Sequence, residues 1–340
     1  MDSQKVILNE SFEFQCELSE LMNNSIVYLG SIHWSFLVSL LALFAQAFFL
    51  VKRLLKIRFQ RNLKCLLIVY FASSFIFSIE LVFGFGYEVY ASYFITSKCG
   101  LLINPTFFKI WHVTSIFTMT LQMLLPLGFT IERFIALFRA SSYEYCTLSI
   151  GPCFAAALFV IDAVCIFLIF FKEQFTGPFV SLVLVPTTSA MQFNVFLLSL
   201  LGVQLFNLLS TTLLLKCNKI MTKKNEERFS HGDHKINITL KYQMREINEA
   251  SQFTRIVSFT HLLFAGWYVV FGLFARIYGP TFFNNTVTYT TARAMYCSVP
   301  TYNMIIVFIG VWTLNRVAKE RRITRVATIQ VRSASTVNRW

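Results

Sequence analysis

An acidic and a basic residue, Glu132 and Arg133, stand side by side where a long apolar run beginning near residue 107 ends. Charged side chains inside a bilayer are unfavourable unless they pair with one another or face water. An adjacent acid and base at such a place can therefore form an ion pair that breaks when the protein changes state. We predict that this pair acts as a switch and not as a catalytic group.

Two further acids, Glu80 and Asp162, interrupt other apolar runs. Acids within membrane segments often mark the paths of substrates or ions, so a transporter or a ligand-gated channel is the alternative function. The chain shows no duplicated halves, which many transporters have. We expect Glu80 to form an ion pair with Lys109, Arg276 or Arg293, and Asp162 to be neutral or hydrogen-bonded to a serine or asparagine of a neighbouring helix.

Signatures of catalysis are absent from the sequence, which contains no HExxH, GxSxG or P-loop motif. The pair Gly84 and Gly86 lacks the third glycine of a dinucleotide fingerprint. His231 and His234 lie in a polar stretch, where a solvated turn is favoured over a metal site. The eight cysteines show no CxxC spacing. The sequence therefore predicts a protein that is not an enzyme and has no cofactor or metal.

The composition indicates a membrane protein. Of the 340 residues, 56% are hydrophobic and 14% are charged, whereas a soluble domain has about 25% charged residues. A membrane-spanning helix needs about 20 mainly apolar residues. The predicted fold is an all-α membrane protein, a seven-transmembrane helix bundle over residues 30–313 with helices at about 30–51, 65–87, 107–131, 148–171, 188–215, 254–278 and 291–313.

Most of the 30 lysine and arginine residues fall in segments 52–64, 216–255 and 314–340. The positive-inside rule places these segments, including the basic tail 314–340, in the cytoplasm. The N-terminal segment 1–29 is then extracellular, and the protein is expected at the plasma membrane. The net charge of +13 is explained by topology and by contact with anionic lipids of the bilayer, so no nucleic-acid partner is predicted.

The predicted outer side carries features of an oxidising compartment. Only Cys16 and Cys99 fall in outer segments, and we expect a disulfide between them, with two unpaired thiols as the alternative. Asn9 and Asn23 begin glycosylation sequons in the N-terminal segment. Asn9 is the better candidate because it lies farther from the membrane.

Three motifs in order resemble those of the nematode serpentine chemoreceptors. They are Phe59 to Lys64 (FQRNLK), Ile131 to Ala136 (IERFIA) followed by Tyr143 and Glu144, and Lys241 to Asn248 (KYQMREIN). The likeness is strongest to class alpha (Sra), with its sister classes AB and beta, and covers about residues 12–325. The resemblance implies a seven-helix G-protein-coupled receptor that detects environmental chemicals in sensory neurons or their cilia.

A receptor of this plan needs a coupling surface at the inner side and a ligand pocket in the outer half of the bundle. We expect Arg133 to hold the third and sixth helices together until a ligand releases them, with residues 241–248 extending the sixth helix inward. The expected coupling residues are Glu132, Arg133, Lys241, Tyr242 and Arg245. The expected pocket residues are Trp111, His112, Ser115, Gln192, Asn194, Trp267, Tyr268, Phe271 and Tyr296.

Several alternatives stay open at the level of sequence. Each pocket candidate is equally compatible with simple packing between helices. Besides the transporter or channel, the chain is compatible with a seven-helix odorant channel whose N-terminus is inside, or with a scaffold for membrane traffic. The expected partners of a receptor are a heterotrimeric G protein, a small-molecule ligand and the lipid bilayer. The sequence names neither the ligand nor the oligomeric state.

Overall fold

The computed structural model describes residues 2–319, apart from 53, 57–58, 140–149, 187, 231–237, 284, 296–298, 314 and 317–318. The described residues are nearly all helical, and their one β-type contact is an isolated bridge between Ile103 and Phe179. Seven of the described helical segments are long and apolar enough to cross a membrane. The predicted seven-helix fold is thus confirmed, and the chain is a multi-pass membrane protein.

The first helix lies outside the bundle, and the spans follow it in chain order. The helices are α1 (Asp2–Asn23), α2 (Ile26–Lys52), α3 (Arg61–Phe94), α4 (Pro105–Phe138), α5 (Ile150–Phe170), α6 (Ala190–Ser230), α7 (Ile238–Phe282) and α8 (Thr286–Met295). The seventh span, Thr286–Thr313, consists of α8 and the helical residues 299–313. "Outer" and "inner" below follow the orientation predicted from the basic residues.

The helices run beyond the spans predicted from hydropathy. The predicted segments 188–215 and 254–278 are parts of α6 and α7, which have 41 and 45 residues. A helix of 45 residues is about 68 Å long, whereas the hydrocarbon core of a bilayer is about 30 Å thick. The extra turns are polar and lie on the inner side. Residues 241–248 continue the sixth span as part of the same helix, as expected.

The N-terminal segment is helical, although the sequence predicted only an extracellular segment without an apolar core. In α1, Cys16, Ser19 and Met22 are buried and follow one another at intervals of three residues, as expected for one face of a helix. Glu13 and Glu17 are exposed on other faces. A search for long apolar runs misses such a helix, because polar and acidic residues separate its buried positions in the sequence.

The third span, α4, lies at the centre of the bundle. In its most apolar stretch 72% of the residues are buried, compared with 28% in the spans of α2, α5, α6 and α7, which expose apolar side chains to the lipid.

Polar residues between helices pair with one another: Gln46 donates to Ser74 (2.6 Å), and Asn303 donates to Ser78 (2.7 Å). These bonds connect α2, α3 and the seventh span.

Candidate functional site

The ion pair Glu132–Arg133 lies at the inner end of α4, and both side chains are fully buried. Arg133 donates from Nε and Nη2 to the two carboxylate oxygens of Glu132, which is a bidentate contact. Two charges out of water are stable only when they are paired and hydrogen-bonded in this way. The geometry agrees with the pair expected from the sequence.

A second acid, Glu246 of α7, joins the pair from the neighbouring helix. Its Oε1 lies 3.5 Å from Nη1 of Arg133 and accepts the backbone N–H of Gln60 at 2.8 Å. Gln60 caps the N-terminus of α3, where a negative charge is favourable. Nη2 of Arg133 also lies 3.4 Å from Oε1 of Gln60. One carboxylate thus ties the inner ends of α3, α4 and α7 together.

The remaining expected coupling residues lie on the same stretch of α7. Lys241 is exposed, and Arg245 donates to Glu249 one turn later at 2.9 Å. The side chain of Tyr242 lies outside the described residues. Glu246 was not predicted as a coupling residue although it falls inside the motif 241–248. The sequence shows an acid between basic residues, but it does not show which neighbouring helix that acid contacts.

The two acids of the alternative function each accept a threonine hydroxyl from α4. Thr118 donates to Glu80 at 2.6 Å, and Thr120 donates to both carboxylate oxygens of Asp162, at 2.8 and 3.1 Å. The partner of Asp162 is therefore a threonine and not the expected serine or asparagine. Through these hydrogen bonds Glu80 connects α3 to the central helix α4, and Asp162 connects α5 to it.

Glu80 does not form the expected ion pair with two of its three proposed partners, Lys109 and Arg293, so that prediction is wrong for both. Lys109 lies 5.8 Å from the ring centre of Phe175, and Arg293 lies 5.5 Å from that of Tyr289. The side chain of Arg276 is outside the described residues. Glu80 accepts the Thr118 hydroxyl instead, which gives a half-buried carboxylate a hydrogen bond without a second charge.

A cavity lies in the outer half of the bundle beside α4. Four of the expected pocket residues line it: Trp111, His112, Ser115 and Tyr268. The rest of the wall is apolar: Phe77, Leu81, Ile116, Met119, Val183, Val185, Phe193 and Val299. A mostly apolar cavity with a few polar groups is the usual form of a small-molecule site.

Trp111 is held in the wall by contacts with α3. Its indole N–H donates to the backbone carbonyl of Glu80 at 2.7 Å. Gly84 lies against the indole ring, and a β-carbon at this position would overlap it. Gly84, which does not belong to a dinucleotide-binding motif, is therefore required for the close packing of α3 on α4.

The loop between α5 and α6 closes the cavity from the outer side. Leu182 at its centre is fully buried. Its N–H donates to Oε1 of Glu88 at 2.8 Å, and the hydroxyl of Ser181 donates to the same atom at 3.1 Å. Nδ1 of His112 lies 3.2 Å from the Leu182 carbonyl. This loop, with Val183 and Val185 in the wall, forms a lid fixed by α3 and α4.

Neither Glu88 nor the lid was predicted from the sequence. Glu88 lies only eight residues beyond Glu80 in the second span. The presence of a second acid in that helix is the sequence feature from which its role could have been suspected. The lid itself has no sequence motif, because its position depends on backbone contacts with two distant helices.

Four other expected pocket residues do not line this cavity. Trp267 is 59% exposed and stacks with Phe271 on the lipid-facing side of α7, while Gln192 is exposed and Asn194 is half-buried. Neighbouring residues on a helix point about 100° apart. Tyr268 therefore faces the cavity while Trp267 faces away. Tyr296 lies outside the described residues.

On the outer side, the sulfur atoms of Cys16 and Cys99 are bonded, which joins α1 to the loop before α4. Lys98 next to this bond lies 2.6 Å from Glu20, and the hydrogen bond and charge of Glu20 raise the pKa of Lys98. The side-chain nitrogen of Asn23, the atom that a glycan would use, lies 3.4 Å from the Ser92 carbonyl. The side chain of Asn9 is outside the described residues.

The described residues contain no group of three or more His, Cys, Asp or Glu side chains placed to hold a metal. His231 and His234 fall in the segment 231–237, which lies outside the described residues. Most of the basic tail, 320–340, lies outside them as well.

Comparison with known proteins agrees with this architecture. Residues 24–265 match the family model described as "Serpentine type 7TM GPCR chemoreceptor Srb". The Caenorhabditis elegans protein serpentine receptor class beta-12 is 40% identical over 326 residues, covering 96% of this chain and 92% of the relative. Serpentine receptor class beta-3 of the same organism is 42% identical over 324 residues, covering 95% and 92%.

These matches refine the likeness inferred from the sequence motifs, because they are to class beta, one of the two sister classes named with class alpha. The match extends over the central helix with its buried ion pair and over most of the α7 segment that meets it. The chain belongs to the serpentine seven-transmembrane chemoreceptor family of class Srb.

Proposed function

We propose that this protein is a chemosensory receptor that binds an environmental chemical in the outer cavity and activates a heterotrimeric G protein at its inner face. Its site of action is the plasma membrane of chemosensory neurons or their cilia. The observation that carries the proposal is the contact of Arg133 with Glu246, which joins α4 to α7 at their inner ends. The same two helices supply His112 and Tyr268 to the outer cavity.

The connection between cavity and ion pair suggests how a signal passes. A ligand can shift a conformational equilibrium only when it binds one state more tightly than another. A molecule in the cavity contacts both α4 and α7, so it can favour a different relative position of these helices. At the inner end such a movement separates Glu246 from Arg133 and frees a basic surface that includes Lys241 for the G protein.

The proposal predicts that Glu246→Gln raises ligand-independent signalling. The amide keeps the size of the side chain and still accepts the N–H of Gln60, but it removes the charge that holds Arg133. We expect a several-fold rise in basal G-protein activation per receptor at the cell surface. The measurement is nucleotide exchange or G-protein dissociation in cells, tested against each G-protein family in turn.

A matched control is Glu227→Gln, which removes an acid from the inner part of α6, where it pairs with Lys223 at 3.9 Å on the surface. This variant should leave basal activation unchanged. Equal basal activation in the Glu246→Gln variant and the unaltered receptor, with every G protein, would exclude the switch. A ligand-driven current in cells without G proteins would favour the channel instead.

A further inference from the structure

Two polar atoms in the wall of the outer cavity have no hydrogen-bond partner among the described residues. They are Nε2 of His112 and Oγ of Ser115, and the two residues are only 4% and 6% exposed. Buried polar atoms in proteins almost always have a partner. Because the two residues are three positions apart on α4, they lie next to each other on one face of the helix. A single polar group in the cavity can reach both.

The hydrogen bond on the other side of the imidazole determines what His112 can accept. A carbonyl oxygen only accepts, so the contact of Nδ1 with the Leu182 carbonyl requires a proton on Nδ1. A buried imidazolium without a carboxylate is unfavourable, and no ion pair to His112 is found among the described residues. In the neutral ring Nε2 is therefore an acceptor, and its missing partner is a donor.

The shape and polarity of the space around these atoms limit the rest of the ligand. The described lining contains no lysine, arginine, aspartate or glutamate, so a charged ligand would lose its hydration without compensation. A second apolar cavity shares Met119, Tyr268 and Val299 with the first and continues between α4, α6 and α7 towards Met123. This arrangement suits a flexible hydrocarbon tail.

We propose that the cavity binds an uncharged aliphatic alcohol, whose hydroxyl group donates to Nε2 of His112 and accepts from Oγ of Ser115. Its tail lies along the apolar wall. A ketone, ester or ether only accepts and leaves Nε2 of His112 unpaired. This inference rests on the proposed function, because it names the class of chemical that the receptor detects.

The test compares two isomers that differ in hydrogen bonding, 1-octanol and 1-methoxyheptane. The full-length protein in lipid nanodiscs is titrated with each, and binding is measured as the rise in unfolding temperature, which follows the ratio of ligand concentration to Kd. We expect 1-octanol to bind about tenfold more tightly than the ether, the effect of roughly one added hydrogen bond. In His112→Phe this preference should disappear, whereas Ser115→Ala should weaken the binding of both isomers, because either oxygen can accept from Oγ of Ser115.

His33→Phe is the matched control. His33 lies at the outer end of α2, 3.1 Å from the Tyr93 hydroxyl, and lines neither cavity. This variant should keep the full preference, because it leaves the walls of both cavities unchanged. The unfolding temperature without ligand shows whether His112→Phe is folded. If it is not, the loss of affinity for 1-octanol in Ser115→Ala provides the test.

Equal binding of the two isomers would overturn the inference, and so would a preference that survives in a folded His112→Phe variant or an affinity for 1-octanol that Ser115→Ala leaves unchanged. The assay contains no G protein, so the two proposals fail separately. A protein that prefers the alcohol but never activates a G protein would exclude the proposed function only. G-protein activation by another compound, without any preference for the alcohol, would exclude the alcohol site only.

Discussion

At the inner end of α4 the buried guanidinium of Arg133 contacts Glu132, Glu246 and Gln60, whereas at its outer end His112 and Ser115 keep polar atoms without partners. Both ends are shielded from solvent, so burial does not explain the difference. What differs is that the inner end is closed by polar side chains of other helices, while the outer end faces a cavity. At the inner end, the hydrogen bonds between side chains stabilise one arrangement of the helices. At the outer end, the buried polar atoms without partners can bond to a ligand.

The largest effect is expected from Arg133→Met. This change keeps the apolar part of the side chain but leaves two buried carboxylates, Glu132 and Glu246, without their cation. Breaking a buried pair in this way destabilises a protein by about 3–5 kcal/mol. We expect a large fall in the unfolding temperature of the purified receptor and less receptor at the cell surface.

Arg293→Met is the control for that prediction, since Arg293 is half-buried near the outer side and stacks on Tyr289. Its loss should change the unfolding temperature little. If the two variants were equally stable, the inner ion pair would add nothing to the fold, and the contrast between the two ends of α4 would no longer hold.

A smaller effect is expected from Glu88→Ala, which opens the lid at the outer end. The change leaves the Ser181 hydroxyl and the Leu182 N–H without an acceptor, and each buried unpaired group is unfavourable by about 1–3 kcal/mol. We expect faster hydrogen exchange in peptides covering 180–185, measured by mass spectrometry. Glu20→Ala removes a half-buried outer acid that pairs with Lys98, so exchange in this loop should stay unchanged. Equal exchange rates in both variants would show that Glu88 does not hold the lid.

Much of this architecture follows from local properties of the sequence. The seven spans follow from the length of apolar runs, and the position of Glu132 and Arg133 follows from where one run ends. The pairing of Cys16 with Cys99 follows from which segments lie on the outer side. In each case the decisive quantity is a count or a spacing within a short segment, so no knowledge of the packing is required.

Contacts between helices could not be predicted from the sequence. The roles of Glu246 and Glu88 depend on the rotation of α7 and α3 about their axes, which spacing within one helix does not determine. For the same reason Tyr268 could not be separated from Trp267, although one faces the cavity and the other the lipid. The lid could not be predicted because its contacts are mainly to backbone atoms, which every sequence has.

The smallest effect, and the most direct test of the contrast, comes from a pair of hydroxyl groups one turn apart on α4. Ser115 has no partner for its hydroxyl, while Thr118 donates to Glu80 at 2.6 Å. Ser115→Ala removes an unsatisfied buried group, so the ligand-free protein should be unchanged or more stable by up to about 1 kcal/mol, whereas Thr118→Val should be less stable by about 1–3 kcal/mol.

The measurement is the unfolding temperature of both variants in the same nanodiscs without ligand. Equal losses of stability would mean that the Ser115 hydroxyl already has a partner in the ligand-free protein, and the cavity would then lack the free donor that an alcohol requires. A loss confined to Thr118→Val would mean that the polar groups of α4 change from structural to ligand-binding roles within one helical turn, between Thr118 and Ser115.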